Sequence, residues 1–231
     1  YYEKYHIRKY GFHGTSHRFV SQHYIEMRGI DPKGSKIVVC HLGNGSSITA
    51  VRDGACIDTS MGFTPLDGII MGTRSGAVDP SVVTFLMNKE GLTPDQMSDI
   101  MNKKSGFLGI SGLSSDARDL VSASHEGHAR AKLACDIVRY QIKKYIGSYA
   151  AAMGGITALL FTGGIGENSD ELRTEVCEGL EFIGIRLDEN ENRHKTGEDH
   201  KISAADASCE VWVIPTNEEL AIAKDTVALI G

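Results

Sequence analysis

Five strand-length apolar segments, taken in their order along the 231-residue sequence, restrict the fold more than any other feature. "KIVVCHL" (36–42) is followed by "SSITAVR" (46–52), which Asp53-Gly54 joins to "ACIDTSM" (55–61). An Asp-Gly pair between such runs is the strongest short-range hairpin signal, because both residues tolerate positive φ. The run "ITALLFT" (156–162) is too short for a helix and reads as a buried parallel strand, and "CEVWVIP" (209–215) supplies a fifth. Helical periodicity is expected over 14–28, with Thr15 or Ser16 as cap and Phe19, Val20, His23, Tyr24 and Met27 on one stripe. It returns over 79–89, 93–102, 115–120, a long 124–153 stretch, 169–179, and the terminal "TNEELAIAKDTVALI". Three meandering strands, then helices, then two strand–helix units describe one α/β domain with a mixed five-stranded sheet and flanking helices.

Composition narrows the function. A 41% hydrophobic content supports a real core, while a net charge of −6 with no basic run disfavours nucleic acid and membrane-surface partners. No apolar stretch is long enough for a membrane span. On an acidic chain, any phosphate must be gripped by backbone N–H groups and a few positioned cations or a metal. The five cysteines are odd in number and widely spaced, without a CxxC, which points to a reducing, cytoplasmic setting. Tyr1 is not an initiator Met, and the chain is expected to begin inside a longer protein.

Two glycine-rich segments sit at strand ends, "HLGNGSS" (41–47) and "FTGGIGENS" (161–169), where ligands bind in open α/β sheets. Neither satisfies GxGxxG or GxxxxGK[ST]. The first brings His41 and Asn44 beside a turn that lets backbone approach a phosphate, and the same composition fits a plain hairpin turn. Residues 62–80 carry Arg74 and Asp79 in an aperiodic Gly/Thr/Pro-rich loop, and "GFLGISGLSSD" (106–116) is read as a second loop. "HEGH" (125–128) lacks the i, i+4 histidine pair of a zinc protease.

Six blocks occur in one order across nearly the whole chain: "YGFHGTSH", "HLGNGSSI", "DTSMGFTPLDGIIMGTRSGAVDP", "GISGLSSDARDL", "FTGGIGENS" and "IPTNEELAIAKDT". Together they resemble the acetate kinase family, within the actin, Hsp70 and hexokinase-like superfamily. The resemblance implies a ribonuclease H-like (actin-like ATPase) domain. It implies in-line phosphoryl transfer between ATP and a short-chain carboxylate, ATP + acetate = ADP + acetyl phosphate, with propionate as a close alternative acid. It further implies that residues 1–231 are the family's C-terminal nucleotide-binding domain, with 1–28 a helical segment at the interdomain cleft. The family's N-terminal domain and its NxGSSSxK phosphate loop have no counterpart here, so binding of nucleotide without turnover is the other reading.

Carried over block by block, His13 and Arg74 match the catalytic histidine and arginine, and Phe12 and Pro65 match the pocket for the acid's methyl group. His41, Asn44 and Gly45 match the phosphate loop. Gly164, Ile165 and Asn168 match the adenosine loop, while Asp116 and Arg118 lie in a block lining the same pocket. Asp116 equally suits a helix N-terminus. Glu218 matches the carboxylate associated with Mg²⁺, beside which Glu219 reads as an ordinary first-turn glutamate. His17 is assigned a supporting role, and Tyr145 and Tyr149 the core or a homodimer contact. ATP or ADP, acetate or acetyl phosphate, and a second copy of the chain are thus the implied partners.

Overall fold

The Asp53-Gly54 turn forms as its residue types demand. In the computed structural model, which describes residues 1–231, both have positive φ, 55° and 76°, the geometry of a hairpin whose twist matches its strands. They join β2 (Ser46–Arg52) to β3 (Ala55–Thr59), antiparallel, with Arg52 opposite Ala55. β1 (Lys36–Leu42) lies beside β2, and β4 (Ala158–Thr162) pairs parallel with β1, Val38 opposite Leu159. Next come β6 (Glu210–Val213), parallel to β4, and the two-residue β5 (His200–Lys201), antiparallel to β6. The sheet order is β3-β2-β1-β4-β6-β5. All five expected strands are present. The sixth escaped notice because two residues inside the polar 188–208 stretch carry no readable period.

The chain divides into two compact units. The sheet unit comprises Gly11–Gly43, Ser47–Ser60 and Ile142–Gly231. Its core forms where α2 (Gly14–Arg28) lays Val20, Tyr24 and Ile25 over Ile37, Val39, Val51, Ala158, Leu160 and Ile214. Alternation along β1 and β4 sends Val38, Cys40, Leu159 and Phe161 to the other face, equally buried, as expected of central parallel strands. The expected stripe on α2 is shifted: Ile25 is buried while Met27 is exposed, and the N-cap is His13 in a left-handed conformation, not Thr15 or Ser16. After β4 the "GGIGEN" segment is itself a helical turn, α8 (Gly163–Asn168), followed by α9 (Asp170–Cys177), α10 (Glu189–Arg193) and α11 (Glu218–Ile230).

The helical unit comprises Tyr1–Tyr10, Asn44–Ser46 and Met61–Gln141. It holds α1 (Tyr2–Tyr5), α3 (Pro80–Glu90), α4 (Pro94–Lys103), α5 (Gly106–Ser111), α6 (Ala117–His125) and the first part of α7 (Ala129–Met153). α4 begins with a reciprocal capping box: Thr93 Oγ1 accepts from Gln96 N at 3.2 Å and Gln96 Oε1 from Thr93 N at 2.8 Å. Two expectations are corrected. "GFLGIS" is helix α5, since its glycines pack closely enough to prevail over propensity. The expected single helix 124–153 is broken at Gly127, φ 91°, between α6 and α7. No helix is long and apolar enough to cross a membrane.

Candidate active site

In the sheet unit, two imidazoles converge on one serine hydroxyl and a third stacks beside them. His13 occupies the left-handed region (φ 57°, ψ 24°), which costs a non-glycine residue about 1–2 kcal/mol. Two contacts hold it there. Its Nδ1 lies 2.8 Å from Ser47 Oγ, and its ring stacks on His41 with centroids 4.2 Å apart. His17, one helical turn on and buried, places Nε2 2.7 Å from the same Ser47 Oγ. His41 Nδ1 meets Ser16 Oγ at 2.8 Å. Phe12, adjacent to His13, is half-buried.

Electrostatics sort the three rings. Burial, then the neighbouring His41 and His13, push His17 down to about 3. Burial and His13 push His41 down to about 4. Both are therefore neutral near pH 7 and act as hydrogen-bond partners, not cations.

Hydrogen-bond counting then fixes a tautomer. Ser47 has one proton to donate but faces two ring nitrogens, so at least one ring donates to it. His17 Nδ1 is buried and has no protein partner. An orphaned N–H there is worse than an orphaned lone pair, which assigns the His17 proton to Nε2. His17 Nε2–H thus donates to Ser47 Oγ, whose own hydroxyl can in turn donate to His13 Nδ1. Ser47 and Ser16 were missed as site residues, although "GNGSSI" carries the first and "HGTSH" the second. Only Ser16 carried a signal, a hydroxyl directly before a histidine.

Across the same unit, the α8 segment exposes Gly164, half-buries Ile165, and ties Asn168 back through Nδ2 donating to Gly164 O at 2.9 Å. A Cβ on Gly164 would meet nothing within 4 Å, so packing does not require a glycine there. The carbonyls ending this turn are held by Arg173, buried, whose Nη1 donates to Gly166 O (2.8 Å) and Glu167 O (3.0 Å). Nε and Nη2 donate to Asn192 Oδ1 and O, both at 2.7 Å. Arg173 went unpredicted because nothing in "ELRTE" distinguishes it from a solvated helix arginine. Glu218, the first residue of α11, is exposed.

In the helical unit, Arg74 and Pro65 come together: Arg74 Nη1 donates to Pro65 O at 3.1 Å and approaches Met71 Sδ at 3.6 Å. The Arg74 loop is stitched by backbone to the α4–α5 junction. Ser105 N donates to Thr73 O (3.0 Å), Phe107 N to Met71 O (2.9 Å) and Ser75 N to Met101 O (2.9 Å). Gly106, φ 58°, is the close-approach point, since a Cβ there would run into Met71 O and stand 2.6 Å from Arg74 O. Gly72 plays a like part: its Cβ would lie 2.7 Å from Asn44 Oδ1 and 2.9 Å from Ser115 O. The Asn44-Gly45 turn is thereby placed against the residue preceding Asp116. Asp116 caps α6 by accepting from Arg118 N at 2.9 Å, and Arg118 folds back onto it with Nη2–Oδ2 2.6 Å. The side-chain and backbone bonds from Arg118 hold the Asp116 carboxyl down at about 2. The helix-terminus role of Asp116 is therefore realised, and Arg118 pairs with it while remaining exposed.

Comparison with known proteins agrees with this layout. The acetokinase family profile matches residues 1–224. The acetate kinase of Phocaeicola vulgatus is 58% identical over 230 residues, covering 100% of this chain and 58% of that protein. That of Bacteroides thetaiotaomicron is 57% identical over 229 residues, covering 99% and 57%. Among solved structures, Porphyromonas gingivalis acetate kinase superposes with a TM-score of 0.96 at 48% identity, covering 100% of this chain and 58% of that one. A propionate kinase from Francisella tularensis gives 0.89 at 41%, covering 97% and 56%. The chain thus spans somewhat over half the length of these relatives. With such neighbours, the mixed sheet and its helices are the actin-like ATPase, or ribonuclease H-like, fold, and the chain belongs to the acetokinase family.

Proposed function

We propose that the protein carrying this chain transfers the γ-phosphoryl group of ATP to acetate, giving acetyl phosphate and ADP, and runs the reverse reaction. The observation that carries the reading is the strained His13, oriented by Ser47 and stacked on His41 at the end of β1. Phosphoryl transfer asks little covalent chemistry of a protein, and needs donors aimed at three equatorial oxygens. His13 Nε2–H is such a donor. Arg74 supplies a second, its planar fork suited to phosphoryl or carboxylate oxygens. Phe12 and Pro65 offer apolar contacts for the methyl group of the acid. His41, Asn44 and Gly45 serve the phosphates, and Gly164, Ile165 and Asn168, with Asp116 and Arg118, the nucleoside.

Mg²⁺ suits the donor set at Glu218: one exposed carboxylate, completed by waters and substrate phosphates, meets its preference for oxygen ligands. The ion would neutralise phosphate charge. A cytoplasmic homodimer forming the C-terminal nucleotide-binding half of a longer enzyme completes the proposal.

The test is to incubate the purified protein with ATP, Mg²⁺, acetate and hydroxylamine. Acetohydroxamate that disappears in His13→Ala and Arg74→Ala is expected. ATP-induced thermal stabilisation without hydroxamate would mean binding alone. Propionate in place of acetate measures acid preference, which the propionate kinase neighbour makes a real contest.

A further inference from the structure

Three metal-competent side chains of the segment 188–201, Glu191, His194 and His200, have been given no role above. α10 and its cap put Glu191 and His194 three positions apart, on one helical side. β5 brings His200 alongside, fixed by pairing with β6 opposite Val213. The ligand atoms of Glu191, His194 and His200 all lie within 4.8 Å of one another. His200 Nε2 is 3.0 Å from Glu191 Oε2 and 3.1 Å from Glu191 O, and the two imidazoles meet edge to face with centroids 5.5 Å apart.

The scaffold beneath is rigid. Asp188 caps α10 through Asn190 N (2.9 Å) and Glu191 N (3.2 Å), while its own N–H donates to Ile202 O at 2.9 Å, closing the segment at its base. Asn192, between the ligand positions, is buried, and its Nδ2 donates to Asp170 O (3.0 Å) and Thr174 Oγ1 (2.9 Å). Backbone placement of the triad is therefore set, and only side-chain torsions remain to adjust.

Ligand atoms on a tetrahedral zinc stand about 3.4 Å apart, given metal–ligand distances near 2.1 Å. The Glu191–His200 pair, at 3.0 Å, is slightly inside that spacing, and no other pair exceeds it by more than about 1.4 Å. Two imidazoles with one carboxylate suit zinc and its first-row neighbours, whereas magnesium wants an oxygen octahedron. We propose that Glu191, His194 and His200 form a surface site for a zinc-class divalent cation, with water completing the coordination, which pins α10 to β5. This site is independent of the phosphoryl-transfer reading.

Calorimetric titration of the protein with Zn²⁺ in millimolar Mg²⁺ tests it. One site is expected, weakened at least about tenfold by each of Glu191→Gln, His194→Ala and His200→Ala, and unchanged by His125→Ala. Zn²⁺ should raise the unfolding temperature of the parent protein but not of the three variants, whose metal-free unfolding temperatures check that they fold. Zinc K-edge absorption on the parent should show two imidazole nitrogens with oxygen neighbours. Binding that survives the His194→Ala/His200→Ala double substitution, or a sulfur-ligated zinc, would overturn the proposal.

Discussion

The two units hold their candidate catalytic groups by opposite means. His13 in the sheet unit is held by side chains: a shared serine hydroxyl, a stacked imidazole and a second histidine beneath. Arg74 in the helical unit is held by backbone, on a loop laced to residues 101–108 through a glycine with no room for a Cβ. A group fixed by titratable side chains responds to pH and to conservative substitution. One fixed by backbone tolerates both and fails when the glycine changes.

The largest effect should come from the backbone-built side. Gly106→Val combines a positive φ with collisions against two carbonyls, and urea unfolding should show a loss of about 4 kcal/mol or more. A loss below 1 kcal/mol would remove the contrast. Acid should then distinguish the side-chain-built one. His17, facing His13, His41 and Ser47, stays neutral when folded but takes up a proton near pH 6.5 when unfolded. Its stabilisation is complete above pH 6.5 and declines as pH falls, by about 3 kcal/mol at pH 4. Stability measured from pH 7 to pH 4 should therefore fall less steeply in His17→Gln than in the parent.

The sequence made the architecture legible where period and turn chemistry were strong: the Asp53-Gly54 hairpin, the buried β4 run, the capped α4. It was opaque where packing decided the outcome. α5 looked like a loop because Gly106 and Gly109 lower helix propensity, yet both sit against backbone atoms that leave no space for a side chain. At the site, motif blocks pointed to His13, Arg74 and Pro65 and the last two are in contact. Ser47, which orients His13, and Arg173, which holds the α8 carbonyls, were invisible because a hydroxyl or a helix arginine acquires its role only from its partners in the fold.

Smaller effects sharpen the comparison further. Ser47→Ala strands two ring nitrogens in a buried place and should cost about 2 kcal/mol by thermal unfolding, with turnover falling more than ATP affinity. Gly164→Ala should be neutral or stabilising by about 0.5–1 kcal/mol, since the residue is helical with open space at Cβ. If that substitution nonetheless weakens ATP binding, the glycine serves the ligand and not the fold. Unchanged affinity would count against the adenosine-loop assignment.

The most direct measurement is the protonation pattern of the His13 ring, read from long-range ¹H–¹⁵N correlations of the imidazole-labelled protein at pH 8. The relay through Ser47 predicts a proton on Nε2 and a bare Nδ1. A proton on His13 Nδ1, with Nε2 bare, would contradict it and remove the donor that the proposed function assigns to His13.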